Sequence, residues 1–134
     1  MSLRWYHTAV DAHDIAMLAR WWADVLGWRI EFEDDYEVNV VPPEAHDDPI
    51  DTLATWQALR SGLVFVPVPE GRTTKNRLHI DLAPHISQDR DAQIEDLLAR
   101  GATRVDVGQG QDVTWTVLAD PEGNEFCVLS SRDR

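Results

Sequence analysis

The sequence predicts an α+β fold in which a strand–helix–three-strand unit occurs twice. Three observations carry this. Short runs alternate apolar and polar residues, whereas two longer runs place apolar residues at helical spacing. Each helical run ends at a glycine, and a histidine precedes that glycine at a similar distance: His7 by 20 positions before Gly27, His79 by 22 before Gly101. After each glycine comes a strand with an arginine and an acid, WRIEF in one case and ATRVDV in the other. Self-similarity at this period marks an internal repeat.

In the first unit, residues 3–10 (LRWYHTAV) read as a strand. Residues 14–26 read as a helix whose apolar stripe is Ile15, Leu18, Trp22, Val25 and Leu26. Asp14 is placed to cap it, and Gly27 to end it in a left-handed turn. Strands follow at 28–32 and 36–41. Residues 42–51 carry three prolines and four acids and form a loop. Residues 51–59 suggest a short helix with Trp56. LVFVPVP at 63–69 is an apolar strand whose prolines place its end near a sheet edge.

The second unit repeats the plan. Strand RLHIDL (77–82) leads to a helix over 89–100, with Ile94, Leu97 and Leu98 inward, closed by Gly101. Strands at 103–107, 113–119 and 126–130 complete it. Between the last two, DPEGNE makes a hairpin turn, with Pro121 presetting the bend and Gly123 relieving it. Glu122 and Glu125, flanking this turn, read as solvated.

At 134 residues the chain is one domain in length, with units at 1–70 and 76–132. The longest stretch without a charge is Ser61–Pro69, far short of the roughly 20 apolar residues that a membrane helix needs. Asp11 and Asp14 interrupt any apolar leader, and the single cysteine excludes an internal disulfide, so a cytoplasmic protein is expected. Acids outnumber bases 24 to 12, for a net charge of −12. That surface repels phosphate, which argues against nucleic-acid and anionic-membrane partners. Plain solubility accounts for the acidity, and attraction of a cationic ligand is the functional alternative. Six tryptophans serve either core packing or the wall of a small-molecule cavity. There is no Gly-rich phosphate loop, HExxH, CxxC or Gly-x-Ser-x-Gly elbow.

Five segments, taken in order, give the chain a family likeness: HTAVDAHD, WWADVLGW, KNRLHIDLAP, LLARGATRV and LADPEGNEFCVL. Together they resemble the glyoxalase-like domain proteins of the vicinal oxygen chelate superfamily, which includes glyoxalase I, bleomycin-resistance proteins and extradiol dioxygenases. The resemblance implies two βαβββ units whose curved mixed sheets surround a cleft, and a homodimer. It also implies a divalent metal held from the first and last strands of each unit. The matching positions here are His7 and His79 on the opening strands and Cys127 on the final strand. The first unit's last strand, near Phe65 or Val66, offers no ligand. The carboxylates of the family pattern are thus absent at both places. Two imidazoles and a thiolate suit Zn²⁺ with one open position, and Ni, Mn or Fe are the other metals considered.

Each candidate also has a structural reading. In RLHIDL, Arg77, His79 and Asp81 share one strand face and Leu78, Ile80 and Leu82 the other. The polar row is either the wet wall of a cavity or a solvated charge-paired face. His7 is either a ligand or an ordinary hydrogen-bonded histidine. Cys127 is either a ligand or an inert small apolar residue. Trp115, alternating with Val113 and Val117, faces a core or a cavity. Arg77, Asp81 and Trp115 are taken as candidate substrate contacts, with Asp81 the candidate base by strand face alone. His13, His46 and His85 read as surface residues. Three functions remain in play: a metal-assisted lyase, isomerase or dioxygenase; a metal-free protein that sequesters a small aromatic or cationic compound; and a non-catalytic dimeric accessory domain.

Overall fold

The computed structural model describes residues 2–106 and 114–133. The expected strand ends at Val107 and Val113 lie outside them. The chain divides into two compact units, Met1–Gly71 and Arg72–Arg134. The first contains β1 (His7–Ala12), α1 (Ile15–Leu26), β2 (Arg29–Glu33), β3 (Val38–Val41), α2 (Leu53–Ala58) and β4 (Gly62–Pro67). The second contains β5 (Ile80–Leu82), α3 (Arg90–Ala99), β6 (Thr103–Arg104), β7 (Thr116–Ala119) and β8 (Glu125–Val128).

Each unit builds a four-stranded mixed sheet, ordered β1-β4-β3-β2 and β5-β8-β7-β6. The two orders are the same. A unit's first strand lies parallel to its last, and the other three strands run antiparallel to one another. A parallel pair needs a crossover of a dozen residues or more. The helix after each opening strand begins that crossover.

In the first unit, Asp14 caps α1 by accepting from the Met17 amide at 3.1 Å. Gly27 ends the helix at φ 66°, in the left-handed region that a residue with a Cβ enters at a cost. Ile15, Leu18, Ala19, Trp22 and Ala23 form the buried face of α1, and Val38, Val40, Leu63 and Phe65 are buried residues of β3 and β4. Full burial of side chains such as Leu18, Val38 and Phe65 contributes about 1.5–3 kcal/mol each. Arg20 on α1 grips Glu33 on β2 with bonds of 3.1 and 2.7 Å. β2 carries a bulge between Ile30 and Phe32, so Glu31 has no partner residue on β3.

In the second unit, Ile94, Leu97, Leu118 and Phe126 are buried. Arg90, at the start of α3, donates to the Val128 carbonyl at 2.7 Å, the Leu129 carbonyl at 2.8 Å and the Thr116 hydroxyl at 3.0 Å. One guanidinium thereby ties the helix to both β7 and β8.

Several expectations from local pattern are corrected by pairing. The opening strand is His7–Ala12 and not 3–10, because its ladder with β4 starts only at His7↔Gly62. Leu3, Trp5 and Tyr6 are exposed. β4 lies inside its sheet, between β1 and β3, despite its prolines. Its register with β3 runs only over Leu63–Phe65, so Pro67 falls beyond the bonds its missing N–H would break. Leu78 does not share a packed strand face with Ile80 and Leu82; β5 starts at Ile80, and Leu78 is 89% exposed. Among the described residues, no helix is long and apolar enough to cross a membrane.

The 120–125 turn joins β7 to β8. Asp120 is 2% exposed, and its carboxylate accepts from the Glu122 and Asn124 amides at 3.0 Å each and from the Asn124 side chain at 3.3 Å. Gly123 closes the turn at φ 88°. Replacing Asp120 with alanine strands part-buried amide donors, each costing at most about 1–3 kcal/mol. D120A is therefore expected to lose about 2–3 kcal/mol in urea unfolding, and D120N, which keeps one acceptor oxygen, to lose less. Equal stability of all three proteins would refute this account of the turn.

Candidate functional site

Among the described residues two places gather chemistry, one in each unit. In the second unit, the parallel ladder between β5 and β8 sets Asp81 directly opposite Cys127. His79 stands two residues before Asp81, immediately ahead of β5. Donor atoms of all three residues lie within 4.8 Å of one another. His79 Nε2 is 3.1 Å from Asp81 Oδ1. Cys127 is 6% exposed, whereas His79 and Asp81 are open to solvent. The cluster therefore has a buried floor and an accessible mouth.

Burial pushes the Cys127 thiol above its ordinary pKa, and the nearby Asp81 charge adds to this both through space and by hydrogen bonding. Lys75 pulls weakly the other way. The thiol is thus held neutral, which is unfavourable for a nucleophile. The carboxylate also contacts both the imidazole and the thiol, so the histidine is not the group set against the sulfur, as a Cys–His nucleophile pair requires.

The divalent metal implied by the family resemblance can be tested against this donor set. One imidazole, one carboxylate and one thiol match the ligands of Zn²⁺ and similar borderline ions. They do not match the all-oxygen preference of Mg²⁺ or Ca²⁺. The residues present fit the former group.

The first unit lacks this cluster. There the register pair corresponding to Asp81↔Cys127 is Ala9↔Val64, with His7 two residues before Ala9. Only the histidine recurs.

The first unit instead holds a cavity of about 590 Å³. Its wall includes Arg4, Tyr6, His7, Glu31, Asn39 and Trp56. The bulge in β2 helps present Glu31 there, a common use of bulges next to sites. The Arg4 guanidinium lies 5.0 Å from the Tyr6 ring and 5.4 Å from the Trp56 ring. Four carboxylates line the cavity against two guanidinium groups, and one of the latter, Arg60, is held by Glu44 at 2.6 and 2.7 Å. That contact raises the Arg60 pKa and lowers that of Glu44. From β2, Arg29 donates to the Ala45 carbonyl in the loop after β3, which fixes the 42–46 segment.

The structure brings together His79, Asp81 and Cys127. It places His7 in the wall of the first unit's cavity, beside Tyr6 with ring centroids 5.5 Å apart. Arg77 is exposed ahead of β5, and Trp115, just before β7, is 39% exposed. His13, His46 and His85 are exposed, as expected of surface residues. Glu125 is not solvated: it is buried and paired with Arg72 at 3.0 Å. Sequence reasoning missed Arg4, Tyr6, Glu31 and Asn39 as cavity residues. The signal that could have found the first two is the interleaving of arginine with aromatic residues in LRWY.

The family described as Glyoxalase-like domain matches residues 7–129. No curated protein sequence matches significantly. Among solved structures, the chain is similar to a glyoxalase/bleomycin resistance protein/dioxygenase family enzyme from Burkholderia phytofirmans PsJN, at 15% identity and TM-score 0.67, covering 97% of this chain and 100% of that one. It is also similar to a fosfomycin resistance protein from Mesorhizobium loti, at 13% identity and TM-score 0.63, covering 96% and 92%. A third is the bleomycin-binding protein of Streptomyces verticillus in complex with copper(II)-bleomycin, at 16% identity and TM-score 0.55, covering 97% and 99%. At these identities the likeness is one of fold.

The elevated thiol pKa has a measurable result. In chelator-treated protein near neutral pH, Cys127 is expected to react with iodoacetamide at least about tenfold more slowly than free cysteine, since only the thiolate attacks. D81N removes the raising charge and is expected to speed the reaction, while burial keeps it below the free rate. A wild-type rate equal to that of free cysteine would contradict the environment described.

Proposed function

This chain belongs to the glyoxalase-like domain family, and from that membership we propose that it binds a flat aromatic or cationic small molecule in the cavity of its first unit. The observation that carries the proposal is the lining of that cavity. Its volume lies in the range of roughly 300–1,000 Å³ that takes drug-sized ligands. Tyr6 and Trp56 offer ring faces, and the guanidinium of Arg4 over both is an internal example of the planar cation they accept. The excess of carboxylates favours positive charge within the cavity, and a net charge of −12 draws cations toward the protein. That a protein of the same fold binds copper(II)-bleomycin supports sequestration as the role. On this reading binding is the function, and no bond is made or broken.

The residues act by position. Trp56 and Tyr6 stack against the ligand. Glu31, on its bulge, faces the positive end. The Arg60–Glu44 pair and the Arg29–Ala45 contact hold the loop that forms one wall.

A second reading is favoured by the cluster on β5 and β8. A divalent ion held by His79 and Cys127 would polarise a carbonyl or diol oxygen of a substrate. The metal-assisted lyase, isomerase and dioxygenase roles belong to this reading, as does the homodimer that the resemblance implies.

Titration with a planar aromatic cation is expected to quench indole fluorescence and raise the melting temperature. A neutral analogue of the same size is expected to bind more weakly, and an aromatic carboxylate weakest. W56A is expected to lower affinity about five- to tenfold, the value of one aromatic face for a cation. Binding that is indifferent to charge and to Trp56 would refute the proposal.

A further inference from the structure

We infer that His79, Asp81 and Cys127 form a three-ligand site for Zn²⁺ that is complete within the second unit and takes its carboxylate from β5. It rests on the second reading above, a metal ion on β5 and β8, and does not depend on the cavity of the first unit. It also differs from the ligand set implied by resemblance, which combined His7 with His79 and Cys127 and left Asp81 to the substrate.

The geometry argues for it in three steps. First, the pairing is rigid. Asp81 and Cys127 are direct partners in a parallel ladder flanked by Ile80↔Phe126 and Leu82↔Val128, so their approach is set by backbone hydrogen bonds. Cys127 is also opposite Val117 on β7, so its backbone is held on both sides within the sheet. Second, the spacing is close to what a tetrahedral ion needs. Ligands at about 2.0–2.3 Å from Zn²⁺ lie roughly 3.3–3.8 Å apart. The donors here are within 4.8 Å, and the imidazole and carboxylate are 3.1 Å apart. The two exposed side chains, His79 and Asp81, have the freedom to close the remainder by rotation. Third, the charges balance. On binding, the thiol gives its proton to solvent and forms the S–Zn bond as thiolate, the imidazole binds neutral and the carboxylate binds as it stands. Two negative charges meet one divalent cation. The open mouth leaves a fourth position for water or an anionic or carbonyl ligand.

The first unit supplies an internal control. Its corresponding residues, His7, Ala9 and Val64, keep the histidine and lose both other donors. Asp81 and Cys127 are what the second unit adds to the shared histidine.

The test is titration of the chelator-treated full chain with Zn²⁺ against a chromophoric chelator, and with Co²⁺ by absorbance. One equivalent of either metal is expected. Cobalt is expected to show a thiolate-to-metal charge-transfer band in the near ultraviolet, and that band is expected to vanish after alkylation of Cys127. C127S, H79Q and D81N are each expected to weaken Zn²⁺ at least about tenfold, with H7Q unchanged. The band in wild-type protein needs no variant, so a variant that fails to fold leaves the test intact. Absence of binding, binding without the thiolate band, or loss through H7Q with D81N unaffected would each overturn the site. None of these results bears on fluorescence quenching by an aromatic cation, so this inference and cation binding in the first unit fail separately; loss through C127S and H79Q with D81N unaffected would leave the metal reading standing and remove only Asp81.

Discussion

The constraint from which the rest follows is the parallel pairing of the first strand of each unit with its last. In the first unit it joins residues 55 positions apart, as in His7↔Gly62. In the second it joins Asp81 to Cys127, 46 positions apart. Closing such long loops costs entropy, which must be offset by burial elsewhere. The offset comes from helix faces and from the buried strand residues Phe65, Phe126, Leu118, Val38 and Val40. The chemical features of the molecule lie at the exposed starts of the opening strands, at the buried Cys127 and on the loops that flank the strands.

One topology thus carries two different surfaces. In the first unit the sequence places small or apolar residues at Ala9 and Val64, and the loop between β3 and β4 is long, acidic and anchored by arginines. The result is a cavity. In the second unit the connection between β7 and β8 is a tight turn organised by Asp120. There the strands carry Asp81 and Cys127, and the result is a donor cluster. Repetition supplies the sheet, and different residues at a few strand positions give each copy its own chemistry.

Local chemistry makes much of this legible in the amino-acid sequence. Asp14 as a cap, Gly27 as a left-handed stop, the Ile15–Leu18–Trp22 stripe and the turn at 120–125 each depend on residues within a few positions of one another. So does the family likeness, which rests on short motifs in order. What escapes the sequence depends on partners far along the chain. Glu125 looks like a solvated turn residue until Arg72, 53 positions earlier, is seen to cover it. Arg4 and Tyr6 read as strand residues because nothing local says that the ladder begins only at His7. Asp81 is visible as a polar residue on the face of His79. Its opposition to Cys127 is a matter of register, which alternation alone does not fix.

X-ray absorption at the zinc edge of the Zn²⁺-loaded protein bears most directly on whether that register builds a metal centre. A shell of one sulfur at about 2.3 Å together with nitrogen and oxygen at about 2.0–2.1 Å is the result this account requires. A shell of nitrogen and oxygen alone would show that the sulfur of Cys127 takes no part, and the three-ligand site would be wrong.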